Sequence, residues 1–261
     1  MSLELSAERC RQALQDHTRQ LAESALAAGA AASVPTCPGW TVTGLVEHVG
    51  QTLHWVSEIV ERRITDPAEL PTEVAELPAD PQAWPAWLAE AAARAAAACS
   101  DAALEAPVFN AAGDHRTGAR FWLHSLLNEA VVHGFDAAAA AGRDYNLDAD
   151  VAADLITHHL AMLASPTWAA RRPESAAATR GAGETLLWHA TDEPGDWHIE
   201  RHPDGVRWQP RAGTADVTVH GPAKSMLLVL TRRRPLSDDV TVDGDVDLVR
   251  HWLEHTAHVA G

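Results

Sequence analysis

Glu129 and His133 stand four residues apart in the run 122–137. On a helix, at about 100° per residue, they lie about 40° apart and one turn along the same face. Trp122, Leu126 and Ala137 share that face, so the spacing predicts an inward-pointing pair. A buried carboxylate without partners is costly, and the pair therefore calls for a third group. His48 is the matching residue on an earlier helix: it follows Leu45 by three and adjoins Val49, at the edge of an apolar stripe. A packing that sets His48 opposite Glu129 and His133 makes a His2Glu set. This is the ligand type of a catalytic Zn²⁺ with one open position, and it also suits other divalent first-row metals. His124 lies about 180° from His133, and His54 about 120° from His48, so neither is a good co-ligand. The plain readings stand beside this one. An E-x-x-x-H pair is common on surface helices, and a lone His beside a core is often simply satisfied there.

The elements that must position these residues follow from periodicity and punctuation. Residues 3–29 run without Pro, with Leu14, Leu21 and Ala25 at spacings of four and seven, and Gly29 ends the run. Pro35, Pro38 and Gly39 mark a loop, and Thr41 is a plausible N-cap for a second helix over 42–63. Four prolines make 65–81 a connection. A third helix spans 82–99, a loop 107–118, and a fourth helix 119–141, closed by Gly142. Four helices of this length form a bundle-sized unit. Beyond Gly142 the pattern changes. A fifth helix covers 148–164, and 166–183 reads as a linker. Period-two runs at 184–191, 196–201, 205–209 and 215–220 read as strands. A helix over 222–231, a strand at 240–242 and a helix over 245–256 complete the chain. The fold class expected is two-domain α+β: a four-helix bundle over 1–145, then a small α+β domain with antiparallel sheet over 146–261, of which 146–183 is helix and linker.

Composition narrows the function classes. The chain has 261 residues, and its 36 acidic against 20 basic side chains give a net charge of −16. Such a surface repels phosphate backbones and anionic lipid, so neither nucleic acid nor a membrane is an expected partner. Lys224 is the sole lysine, which leaves little room for Schiff-base chemistry. Cys10, Cys37 and Cys99 are three scattered cysteines without CxxC spacing, so no disulfide framework is expected. No apolar run approaches the roughly 20 residues of a membrane span. The N-terminal residues lack a signal-peptide pattern, and the expected location is cytoplasmic.

Two motifs carry a resemblance. The run Thr36-Cys37-Pro38-Gly39-Trp40-Thr41-Val42, followed by Leu45-Val46-Glu47-His48-Val49, is similar to the entry to the second helix in the mycothiol-dependent maleylpyruvate isomerase family. The run Asn128-Glu129-Ala130-Val131-Val132-His133-Gly134-Phe135-Asp136-Ala137 resembles that family's second metal motif. The second half, including Arg233-Arg234-Pro235-Leu236 and Val242-Asp243-Gly244-Asp245, resembles the family's C-terminal domain, related in shape to sterol carrier proteins. Arg232 stands where the family commonly has Gly.

The resemblance implies a DinB-like bundle in which His48, Glu129 and His133 hold a zinc or other divalent ion. It implies mycothiol as the thiol cosubstrate. A metal-activated thiolate would add to a conjugated double bond of a small substrate; rotation and elimination would isomerise cis to trans, and S-transfer is the other outcome. Arg233 or Arg234 could hold a substrate carboxylate through a bidentate fork, against the plain reading of a basic run near a helix end. Trp40 is a candidate for lining the thiol or substrate site, against the reading of a packing staple. Cys37 reads as an inert loop thiol. His158, His159, His251, His255 and His258 read as helix surface. The competing functions are a non-catalytic carrier of a lipid or other small molecule, and a DinB-type stress protein that binds metal without turnover. Substrate and oligomeric state are not written in the sequence.

Overall fold

The computed structural model describes residues 4–73, 75–236 and 239–257; His258 lies outside them. Helix α1 (Ala7–Ala28) starts at Ser6, whose hydroxyl accepts a hydrogen bond from the Arg9 amide, and stops at Gly29. Helix α2 (Val42–Glu61) starts at Thr41, whose side chain accepts from the Gly44 amide. Helix α3 (Trp84–Ala98) follows a proline-rich connection, and the one-turn α4 (Asp101–Leu104) precedes the long α5 (Gly118–Ala140). These helices belong to one compact unit, residues 6–111 with 115–146. Within it α1 packs on α5 and α3, and α2 packs on α3 and α5. Helix α5 is buried on most of its faces, because residues such as Leu123, Leu126, Leu127, Ala130 and Val131 leave it no continuous polar side. Gly50 lets α2 meet α3 closely: a Cβ there would stand 2.0 Å from the Trp87 ring.

The second unit comprises residues 1–5, 112–114 and 147–261. It opens with α6 (Ala149–Leu163). The stretch 166–183, expected as a linker, holds two short helices, α7 (Pro166–Arg171) and α8 (Pro173–Ala178). Each begins on a proline, whose missing N–H costs nothing in a first turn; the same prolines read as breakers in sequence. The strands are β1 (Thr185–Ala190), β2 (Asp196–His202), β3 (Gly205–Gln209) and β4 (Val217–Gly221). Helix α9 (Ala223–Leu230), β5 (Thr241–Gly244) and α10 (Val246–His255) follow.

The α+β class holds, but the sheet is mixed and not purely antiparallel. Its order is β3-β2-β1-β4-β5, and β1 pairs with β4 in parallel while the other three pairings are antiparallel. After two hairpins the chain returns along 210–216 to the free edge of β1, so β4 enters in the direction of β1. Alternation in sequence reports which face a residue takes and nothing about the partner's direction. Leu186, Trp188, Trp197, Ile199, Val217 and Val219 form the apolar face. The Trp197 indole N–H donates to the Thr157 hydroxyl of α6 at 2.9 Å.

Candidate metal centre

Three elements of the helical unit build the site. Helix α2 carries His48, α5 carries Glu129 and His133, and the loop 33–41 lies across both. The loop closes on itself: the Val34 amide donates to Trp40 O, and the Trp40 amide to Cys37 O, both at 3.0 Å. Gly39 turns it at φ +86°, a left-handed conformation that favours glycine. His48 Nε2 lies 3.0 Å from Glu129 Oε2, and His133 Nε2 lies 3.3 Å from the same oxygen. All three donor atoms fall within 4.8 Å of one another. Trp40 roofs the cluster, its ring stacked on His133 at 5.7 Å and 14° and meeting His48 edge-on at 5.2 Å. Side-chain exposure rises from 6% at His133 to 31% at Glu129 and 40% at His48, so the cluster is closed at one end and open at the other.

The electrostatics match a cation site. Burial alone would push the Glu129 carboxyl up. Hydrogen bonds with His133 and His48 outweigh it and hold the group well below the ordinary carboxylate range. Burial would push the His133 imidazole down, and its bonds with Asp136, Cys37 and Glu129 instead hold it well above its usual value. Both shifts run in the direction that favours positive charge within the cluster. The donor set also fits a metal by distance: for tetrahedral bonds of about 2.1 Å, donors stand about 3.4 Å apart. The two histidine–Glu129 separations, 3.0 and 3.3 Å, are close to this, and the His48–His133 separation lies within 4.8 Å. His48, Glu129 and His133 thus form a group that could hold zinc or a similar ion.

Sequence reasoning did not assign the supports beneath His133. Its Nδ1 lies 2.9 Å from Asp136 Oδ2, and Asp136 is wholly buried. The Thr36 hydroxyl donates to Asp136 Oδ1 at 2.5 Å, and the Cys37 thiol to Oδ2 at 3.3 Å. Cys37 is thus no plain loop thiol; it is buried beside the cluster. The His133–Asp136 spacing of three was the available signal, since it puts both on one side of a helix. Cys37, His133 and Asp136 also form a close three-donor group. All three are buried and already bonded among themselves, so this group braces the first and offers no open position.

The other candidates lie elsewhere. Arg233 and Arg234 belong to the second unit, where they line a cavity of about 530 Å³ with Arg232, Arg250, Pro235 and Leu236. Arg233 Nη1 donates to Thr231 O at 3.0 Å. Arg232 adopts φ +64°, the left-handed position past the end of α9. His158 and His159, expected at a helix surface, are buried in α6, because that helix is covered on most sides. His251 lies 2.8 Å from Ala178 O and its ring stands 4.5 Å from that of His255. Among the described residues, no helix is long and apolar enough to cross a membrane.

Fold and site together define a two-unit α+β protein with a His2Glu cluster inside its helical unit. The family follows from comparison. Residues 10–138 match the model of the mycothiol maleylpyruvate isomerase N-terminal domain, and residues 150–251 match that of the corresponding C-terminal domain. The chain belongs to the mycothiol-dependent maleylpyruvate isomerase family. Among solved structures it is similar to that of the mycothiol-dependent maleylpyruvate isomerase, with 19% identity, a TM-score of 0.56, and coverage of 93% of this chain and 95% of that one. A histidine-to-alanine variant of that enzyme matches at 18% identity with the same TM-score and coverage. At these identities the likeness is one of fold. No curated relative matches the chain significantly.

Proposed function

We propose that this chain is a cytoplasmic metal-dependent enzyme that activates a low-molecular-weight thiol, mycothiol, against a small unsaturated or electrophilic acid. The reaction is cis–trans isomerisation of a maleylpyruvate-like substrate or a related S-transfer. The observation that carries the reading is the convergence of His48, Glu129 and His133 on one point, half open to solvent. In this reading residues 1–145 supply the metal domain and 146–261 the second functional domain. When bound, a zinc or similar ion supplies Lewis acidity, which makes a thiolate available near neutral pH.

The chain's own residues do the rest. Glu129 brings one negative charge, and two neutral imidazoles keep the set from neutralising a divalent ion fully. Trp40 covers His133 and narrows the approach to the open side, where a thiol and its substrate would meet. Arg233 and Arg234 are the proposed holders of a substrate carboxylate, since guanidinium forks match carboxylate geometry. They line one cavity with Arg232, Arg250 and a single carboxylate, Glu254, and the excess of guanidinium groups there supports that assignment. Adding and then eliminating the thiol across a double bond returns it unchanged, so the net reaction needs no oxidant.

Elemental analysis of the purified protein beside His48→Ala, followed by turnover with mycothiol and maleylpyruvate, tests the reading. About one metal ion per chain, lost with turnover in the variant, is the expected result. Turnover retained in the variant, or a wild type that takes up no zinc, overturns it.

A further inference from the structure

Asp136 is not among the three converging donors, yet it grips the most buried of them. The argument rests on the metal reading above. Asp136 is a carboxylate with no solvent contact, and three donors converge on its two oxygens. The Thr36 hydroxyl takes Oδ1, while the His133 ring and the Cys37 thiol share Oδ2. The Thr36 hydroxyl and the Cys37 thiol both donate to Asp136, and a carboxylate that accepts on both oxygens pairs with a ring nitrogen that carries a proton. A neutral imidazole has a single N–H. When an ion takes the Nε2 side, where Glu129 stands, a proton kept on Nδ1 leaves the Nε2 lone pair free to ligate. The tautomer that can ligate is therefore chosen from beneath the site. Two of the three donors come from the loop 33–41, which also carries Trp40 over the His133 ring.

We propose that Asp136, braced by Thr36 and Cys37, is the positioning residue that fixes the His133 tautomer and aims its Nε2 at the metal, so that the 33–41 loop is tied to metal loading. An ordinary core hydrogen bond would need only a partner for His133. Tautomer control needs a partner that cannot donate. Asp136→Asn separates the two, because the amide has nearly the same shape and can donate to Nδ1, releasing the proton to Nε2.

The test uses the full chain. Zinc affinity is measured by chelator competition, Co²⁺-loaded protein is compared by its visible absorption, and the His133 tautomer is read by histidine ¹⁵N NMR on zinc-loaded protein. Wild type should bind zinc with His133 protonated on Nδ1. Asp136→Asn should weaken zinc about 10- to 100-fold, alter the Co²⁺ spectrum and lose the single tautomer. Thr36→Val and Cys37→Ala should weaken zinc in the same direction by less, and Cys37→Ser, which keeps a donor, should recover the Cys37→Ala loss. If Asp136→Asn does not fold, the Thr36→Val/Cys37→Ala double variant carries the test. Wild-type affinity and spectrum in the folded Asp136→Asn variant, or in that double variant, would overturn the inference while leaving the metal reading intact. A wild type that binds no zinc would overturn both.

Discussion

The two units of this chain each bring histidines and carboxylates together, and they do it differently. In the helical unit His48 and His133 share one oxygen of Glu129. On the polar face of the sheet each of three histidines has a close carboxylate contact: His189 with Asp196 at 2.8 Å, His220 with Asp243 at 3.1 Å, and His202 with Glu200 at 3.2 Å. Strand register puts His189 beside both His220 and Asp196. Even so, among the described residues none of the sheet histidines joins a group of three donors within 4.8 Å. Strands space neighbouring side chains by the ladder, roughly 5 Å apart, and point them outward in parallel. Two crossing helices with a loop over them can aim three side chains at one point. A count of histidine–carboxylate pairs therefore does not locate a metal site; convergence on a shared point, with a buried support behind it, does.

Removing a donor from the converging set should break the contrast most severely. Glu129→Gln or His48→Ala should abolish stoichiometric zinc by elemental analysis. Turnover should fall roughly a thousandfold or more, the loss of several kcal/mol of transition-state stabilisation. His189→Ala, made in parallel, should leave zinc content at the wild-type value. If the sheet variant lost the metal and the helix variants kept it, the two regions would have exchanged roles.

The next effect is one of pH. His133 is held above, and Glu129 below, its ordinary value in the metal-free protein. A raised histidine stabilises the fold below its unfolded pKa, near 6.5, and that contribution is lost as pH rises through the folded value. A depressed carboxylate stabilises above its unfolded pKa, near 4.3, and that contribution is lost as pH falls. The metal-free protein should therefore be most favoured by this cluster between about pH 4.3 and 6.5. Zinc must displace the His133 proton, so its affinity should rise steeply with pH and proton release should accompany binding. Calorimetry in two buffers of different ionisation enthalpy measures that release; zinc affinity flat between pH 6 and 8 would contradict it.

The contrast also explains what could be read in advance. The juxtaposition of Glu129 and His133 is helical arithmetic, and the apolar stripe through Leu45 and Val49 already limited where His48 could face. The α+β class followed from the change of period after Gly142. Asp136 was visible only as part of a motif, because its role depends on Thr36 and Cys37, a hundred residues away in sequence and joined to it through packing. The parallel pairing of β1 with β4 was hidden for the same reason: strand direction is set by where the return connection crosses. Pro166 and Pro173 make 166–183 look like a linker, since a proline that opens a short helix and one that ends a segment are alike without the following turn. The burial of His158 and His159 depends on the elements that cover α6, which periodicity within the helix does not reveal.

The arginines of the second unit offer a sharper comparison of moderate size. Arg233 and Arg234 share a cavity with Arg232 and Arg250 and are proposed to hold a carboxylate. Arg233→Ala or Arg234→Ala should leave zinc content intact while raising KM or lowering kcat/KM by roughly 10- to 100-fold, as expected for a lost charge-assisted hydrogen bond. Unchanged kinetics in both variants would confine these residues to the end of α9. A loss of zinc would contradict the separation of roles.

The smallest effect belongs to the sheet histidines, and it is where the comparison is most exposed. The His189 and His220 rings stand 5.5 Å apart at 76°, each with its own carboxylate. His189 turns Nδ1 to its carboxylate, as His133 does, and His220 turns Nε2. The differences are solvent and number. His189 is 44% and His220 33% exposed, against 6% for His133. Water satisfies the second ring nitrogen at little cost, so no ion is needed to do so. Exposed pairs of this kind contribute about 0.2 to 1 kcal/mol each. The double variant His189→Ala/His220→Ala should lower Tm by no more than a few degrees and change neither zinc stoichiometry nor turnover. Should the wild type instead take up a second zinc ion that this variant lacks, pairs of oriented histidines without a shared carboxylate would suffice for binding here, and convergence on a third donor would no longer separate the two regions.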